Sequence, residues 1–126
     1  MAEPLFILIV DDSPAFTSRM ESILEEVRTP YNISVLSTCG EAKSFILNSD
    51  PIPDFILLDM NLPDGTGIDV LNYIKEEGKK SNVIVITNHS NNYYRKLCIE
   101  LGAEHFLDKS TEFTDVPGII NQYLLK

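Results

Sequence analysis

Apolar and polar positions follow two rhythms along this chain, one suited to buried strands and one to amphipathic helices, and the two alternate. Leu5 to Val10 (LFILIV) is near-continuously apolar, the pattern of a strand covered on both faces. Ser13 and Pro14 then read as an N-cap and first helical position. Phe16, Met20, Ile23, Leu24 and Val27 follow at helical spacing and form one apolar stripe. Ile33 to Ser37 (ISVLS) is a weaker second strand, and Ala42, Phe45 and Ile46 predict a short second helix that stops before Pro51 and Pro53. Phe55 to Leu58 (FILL) is a third buried strand; Ile68, Leu71 and Ile74 then line one face of a third helix, with Thr66 as its cap. Asn82 to Thr87 (NVIVIT) is a fourth strand, rich in β-branched residues. Tyr94, Leu97, Cys98 and Leu101 mark a fourth helix, closed by Gly102 as a left-handed C-cap. Glu104 to Leu107 (EHFL) is the fifth strand, and Val116, Ile119, Ile120, Tyr123 and Leu124 trace a last helix. Pro117 is tolerated in that helix because first-turn N–H groups have no intrahelical partner.

Five strands alternating with five helices imply right-handed crossovers and an all-parallel sheet with helices on both faces, an open α/β fold; a barrel would need more units. With 126 residues, residues 1–126 fit a single domain, and no repeat, linker or low-complexity tract divides them. A hydrophobic fraction of 44% is ordinary for a globular chain. No apolar run approaches the roughly 20 residues of a membrane span. The start, MAEPLFILIVDD, lacks the basic n-region of a secretory signal, so a cytoplasmic protein is expected. Cys39 and Cys98 form no metal-ligand pattern and read as separate reduced thiols. A net charge of −9 argues against nucleic acid as a partner and favours proteins, cations or both.

In a parallel sheet every strand's C-terminal end lies on one edge, where ligands bind. Asp11 and Asp12 follow the first apolar run, Asp59 follows the third, Thr87 ends the fourth, and Lys109 follows the fifth. Topology alone would gather them. Carboxylates crowded together repel, and a hard divalent cation relieves the repulsion; Mg²⁺ is the usual choice where few carboxylates share a site with phosphate, with Mn²⁺ as its substitute. A carboxylate beside a metal, a lysine and a hydroxyl is equipped to attack phosphorus and form an acyl phosphate.

This arrangement resembles the receiver domain of two-component response regulators, and the likeness runs from Leu5 to Leu125. The residues that carry it are the Asp11–Asp12 pair, Asp59 with its downstream LPDGTG, Thr87, and Phe106 ahead of Lys109. The resemblance implies a flavodoxin-like (βα)5 fold with strand order 2-1-3-4-5, which places the first and third strands at the topological switch point. It implies Asp59 as phosphoacceptor from a histidine kinase or histidine phosphotransfer protein. It also implies a Mg²⁺ site of Asp12 and Asp59, with Asp11 acting through water and Asn61 contributing its backbone carbonyl. Thr87 and Phe106 match the family's switch pair, and the downstream target would dock on the fourth helix, fifth strand and fifth helix.

Each residue taken alone has an ordinary use. Asp11 and Asp12 suit a helix start, Asp59 a solvated turn, Lys109 a surface, Thr87 a strand, and Pro63, Gly65 and Gly67 simple turns. Their order along the chain, one at each strand end, is what points to function. The sequence departs from the family where Ser110 stands in place of a common proline, where Asn88 replaces a very small residue, and where Phe106 replaces a frequent tyrosine. Asn88 and the loop residue His89 are candidate modulators. Tyr93 and Tyr94 read as a helix face with one ring buried and one free. Other functions that fit the same residues are a phosphate shuttle or sink in a relay, a receiver cut from a larger regulator, and a phosphohydrolase working through the same aspartyl phosphate. For the last, no general acid is evident beside Asp59. An enzyme with an external substrate is therefore not expected.

Overall fold

The computed structural model describes residues 4–88 and 91–125. In chain order the elements are β1 (Leu5–Val10), α1 (Pro14–Ile23), a 3₁₀ turn (Leu24–Glu26), β2 (Tyr31–Leu36), α2 (Cys39–Asn48) and β3 (Phe55–Leu58). A two-residue hairpin of β4 (Asn61–Leu62) and β5 (Gly65–Thr66) precedes α3 (Gly67–Glu76). Then come β6 (Asn82–Thr87), α4 (Asn92–Glu100), β7 (His105–Asp108), a second 3₁₀ turn (Phe113–Asp115) and α5 (Val116–Leu124). The main sheet has five parallel strands in the order β2-β1-β3-β6-β7, which is 2-1-3-4-5 once the small hairpin is set aside.

Side chains of the central strands alternate between two cores, as the two-residue period of a strand requires. Leu8, Val10, Ile56, Leu58, Val83 and Val85 pack with α2, α3 and α4. Ile7, Ile9, Phe55, Leu57, Ile84 and Ile86 pack with Phe16 and Met20 of α1 and with Val116 and Ile120 of α5. Both faces are covered, which is why these strands are apolar at every position. The edge strand β2 is only half-buried and reads weakly in the sequence for that reason. Its limits come from pairing: Tyr31 lies opposite Leu5 and Leu36 opposite Val10. In the same way β7 runs one residue later than the apolar pattern predicts, because Ile84 pairs with His105 and Thr87 with Asp108.

The helix starts are as expected. Ser13 accepts from the Phe16 N–H at 3.3 Å with Pro14 at the first position of α1. Thr66 and Asp69 form a reciprocal capping box at α3. The α1 stripe continues past the helix into the 3₁₀ turn, and Val27 lies beyond both. At α4, Gly102 has φ +107° and its N–H bonds to Ile99, while Ala103 bonds back to Cys98, the paired bonds of a Schellman stop. Cys39 and Cys98 are free and buried. Tyr94 is partly buried against the core and Tyr93 is 72% exposed. No described helix is long and apolar enough to cross a membrane.

Between β3 and α3 the chain doubles back tightly, and this controls where Asp59 sits. The Gly67 N–H bonds to the Met60 carbonyl at 2.8 Å, closing the turn. A Cβ on Gly67 would stand 2.6 Å from the Asp59 carbonyl oxygen and 3.1 Å from the Met60 Cα. Only glycine allows that approach. Asp64, at the tip of the hairpin, accepts from the Cys39 and Gly40 N–H groups at 2.7 and 3.0 Å and so ties the turn to the start of α2. Those amides hold its carboxyl below the usual carboxylate range, Gly40 contributing most. Gly67→Ala should destabilise the protein by about 1–3 kcal/mol through overpacking against backbone that cannot yield. A lowered urea midpoint at unchanged slope is the expected result, and an unchanged midpoint would contradict it.

Candidate functional site

The parallel ladders extend one residue beyond the strands, and that extension places the chemistry. The Asp11 N–H bonds to Leu36, the Asp59 N–H to Val10 and the Lys109 N–H to Thr87, at 2.9, 3.0 and 2.9 Å. Backbone pairing therefore holds three of the charged residues at the sheet's C-terminal edge before any side chain interacts. Carboxylate oxygens of Asp11, Asp12 and Asp59 lie within 4.8 Å of one another. Asp11 and Asp59 are buried and Asp12 is exposed.

The Lys109 ammonium bridges the two buried carboxylates, 2.8 Å from Asp11 Oδ2 and 3.4 Å from Asp59 Oδ2. Each carboxylate also accepts from the backbone two residues on: Asp11 Oδ1 from the Ser13 N–H at 2.8 Å, and Asp59 Oδ1 from the Asn61 N–H at 3.4 Å. Burial raises the Asp59 carboxyl above its ordinary value and the Asp11 charge adds to this; Lys109 and the Asn61 amide only partly offset the rise. Ionised Asp59 therefore costs stability. The cost is absent below the ordinary carboxylate pKa and is present in full once the pH exceeds the raised folded value. Burial works against the Lys109 charge, yet the hydrogen bond to Asp11 and the charges of Asp59 and Asp11 hold its pKa above the ordinary lysine value. With three carboxylates and one ammonium, a formal charge of −2 is left over. A hard divalent cation cancels that residue, and an all-oxygen donor set suits such an ion.

Around this cluster, Thr87 is fully buried at the end of β6, and Asn61 lies in β4 opposite Thr66. Phe106 is 2% exposed in β7, with the Arg95 guanidinium 5.2 Å from its ring centre. Arg95 also stands 3.9 Å from Glu112, whose carboxylate accepts from the Asp108 N–H at 2.8 Å. Asn88 is exposed, and its side-chain oxygen accepts from the Ser110 hydroxyl at 3.4 Å, so two departures from the family pattern meet each other. The Lys109–Ser110 peptide is trans, as expected without proline. His89 lies outside the described residues. Sequence reasoning missed Phe16, whose ring centre is 4.5 Å from the Lys109 Nζ. Its position in the α1 stripe marks a core residue, and only its place one turn after the acidic pair hinted at more. Arg95 and Glu112 carried no signal at all, being single charges with no pattern around them, one exposed on α4 and the other half-buried before the second 3₁₀ turn.

A family model described as the response regulator receiver domain matches residues 7–121. The chain is 30% identical over 90% of its length to the TorCAD operon transcriptional regulatory protein TorR of Escherichia coli O157:H7, of which it covers 47%. It spans about half of the curated relatives that it matches first, between 47% and 60% of their lengths. Among solved structures, the signal receiver domain of a putative Luxo repressor protein from Vibrio parahaemolyticus superposes with a TM-score of 0.87 at 29% identity, covering 98% of this chain and 92% of that one. A chain of the CheX-CheY-BeF3-Mg²⁺ complex from Borrelia burgdorferi gives 0.85 at 28% identity, with 98% and 91% covered. With the acidic pocket at the switch point of a 2-1-3-4-5 sheet, this chain belongs to the response regulator receiver domain family of two-component systems.

Proposed function

We propose that the domain accepts a phosphoryl group on Asp59 from a phosphohistidine in a kinase or phosphotransfer protein, and signals the change to a protein partner. The observation that carries this is the buried Asp59 carboxylate, sharing Lys109 with Asp11 at the ends of the central strands. An Asp59 oxygen attacks phosphorus, the new O–P bond forming as the donor's N–P bond breaks, and the imidazole leaves with the electron pair and takes up a proton. Lys109 neutralises charge on a phosphoryl oxygen, and the Thr87 hydroxyl donates to another. Asp11, Asp12, Asp59 and the Asn61 carbonyl would hold Mg²⁺, or Mn²⁺ in its place, and that ion supplies charge neutralisation for the transferring group. In this reading residues 1–126 act as one domain in the cytoplasm, where phosphohistidine donors are made from ATP. The chain's acidic charge suits protein partners and not nucleic acid.

For the output, Thr87 and Phe106 form the switch, and α4, β7 and α5 form the surface that the target reads. A phenylalanine has no hydroxyl to anchor it at the surface, and burying such a side chain is worth about 1.5–3 kcal/mol. Its buried ring under Arg95 agrees with an equilibrium already tilted inward. A ligand can shift such an equilibrium only by its differential affinity for the two states, so activation has less left to change.

With Mg²⁺ and acetyl phosphate the protein should gain one hydroxylamine-labile phosphoryl group by mass, and Asp59→Asn should gain none; clean modification of the variant would sink the assignment. Without metal, Asp59→Asn should raise stability by about 1–2 kcal/mol by relieving the burial of a charge and its repulsion from Asp11, and Asp12→Ala, at an exposed position, should raise it by less. Mg²⁺ should stabilise the wild type far more than either variant, whereas equal shifts in melting temperature would exclude a metal site here. Finally, beryllofluoride with Mg²⁺ should shift the amide resonances of α4, β7 and α5 less in the wild type than in Phe106→Tyr. Larger wild-type shifts would refute the inward bias.

A further inference from the structure

Lys109 has a third neighbour that the acidic cluster does not explain. Its Nζ lies over the ring of Phe16, 4.5 Å from the centroid, and its side chain is only 12% exposed. Phe16 is the third residue of α1, and the segment just before the helix supplies Asp11, the nearer carboxylate. Asp11 Oδ1 accepts from the Ser13 N–H, the Ser13 hydroxyl accepts from the Phe16 N–H, and Pro14 sets the backbone between them. The start of α1 therefore presents a carboxylate and an aromatic face to one ammonium, in a register fixed by an N-cap.

The ring itself is held. Phe113, in the 3₁₀ turn before α5, meets it edge-on with centroids 5.9 Å apart and an interplanar angle of 62°. The Arg19 guanidinium covers the Phe113 ring at 4.7 Å. Phe16 and Phe113 are 7% and 8% exposed. Lys109, Phe16, Phe113 and Arg19 thus follow one another as cation, ring, ring and cation, with a positive charge over each ring. The ring quadrupole favours both ends.

We propose that Phe16 is a positioning residue for Lys109, its ring face holding the ammonium between Asp11 and Asp59 while leaving the N–H donors to oxygen. An ammonium has three N–H donors. Asp11 and Asp59 take two of them, at 2.8 and 3.4 Å. A polar residue in place of Phe16 would compete for the third, and an aliphatic one would pack without attracting charge. An aromatic face attracts the cation as a whole charge through the ring quadrupole without claiming a particular N–H, so a donor stays available for a phosphoryl oxygen. The inference rests on the phosphoacceptor reading of Asp59 and adds to it a residue that acts through Lys109 without touching the reacting atoms.

The test uses the whole chain with Mg²⁺ and acetyl phosphate, comparing wild type, Phe16→Leu, Phe16→Tyr and a chain carrying 3,4,5-trifluorophenylalanine at position 16. The trifluoro ring nearly keeps the shape and packing but weakens the negative face. The phosphorylation rate constant at saturating acetyl phosphate should fall roughly fivefold in Phe16→Leu and in the trifluoro protein, and Phe16→Tyr should restore it. Mg²⁺ affinity should be unchanged, since the ring faces the lysine and not the metal ligands. In the metal-free proteins, the Lys109 ε-methylene protons should show an upfield ring-current shift with Phe or Tyr and lose it with Leu, a readout independent of phosphorylation. A trifluoro protein as fast as wild type would reduce Phe16 to packing and overturn the proposal, as would a ring-current shift absent from the wild type. A wild type that takes no phosphoryl group in the same assay as the Asp59→Asn control overturns the phosphoacceptor reading and this proposal together.

Discussion

The Lys109 ammonium sits between two buried carboxylates, and much of the site follows from the fact that one positive charge cannot satisfy both along with a third acid nearby. Burial makes the shortfall costly, since a charge withdrawn from water needs a partner. The fold holds the acids there anyway, because their positions are set by main-chain bonds continuing each parallel ladder past its last strand residue. Side-chain repulsion cannot undo backbone pairing that the whole core supports. The result is a stored preference for something positive, the condition that a hard divalent cation would meet.

Holding such a cluster demands rigid surroundings. The turn after Asp59 is closed by a main-chain bond from Gly67 to Met60, and Asp64 ties the adjoining hairpin to the N–H groups at the start of α2. On the other side, Ser13 and Pro14 set the start of α1, so that Asp11 just before the helix and Phe16 in its first turn both reach Lys109. The acidic pocket is thus framed by helix starts, where backbone N–H groups are available to carboxylates and caps. A position error of a few tenths of an ångström in any of these turns would change the Lys109 distances directly. That makes glycine at Gly67 a requirement of the site as much as of the fold.

Away from the pocket, Arg95 connects two features that sequence order keeps apart. Its guanidinium lies over Phe106 and beside Glu112, and Glu112 accepts from the N–H of Asp108, the residue before Lys109. A displacement of Phe106 would have to disturb Arg95, and through Glu112 the loop that carries the lysine. Asn88 and Ser110 make a second link between the same loops. These contacts are individually weak, but together they join α4 to the loop that carries Lys109.

The sequence by itself determined the alternation of elements, the two-sided burial of the central strands and which charged residues stand at their ends. Those features are local: a run such as LFILIV is apolar because both faces are covered, and Asp59 stands out because an apolar strand ends on it. Caps at Ser13 and Thr66 and the stop at Gly102 were legible for the same reason, since each depends on a residue's own backbone needs. The limits of β2 and β7 were decided by partner strands, and the β4–β5 hairpin by the tight return to Gly67 and the grip of Asp64 on α2. The sequence gathered Asp11, Asp12, Asp59, Thr87 and Lys109 at one edge, but only the tertiary structure set how Lys109 divides itself between two acids and an aromatic ring. That division depends on distances between segments far apart in the chain, and hydrophobic periodicity carries no record of them: Phe16 looks like any core residue until the lysine is seen above it.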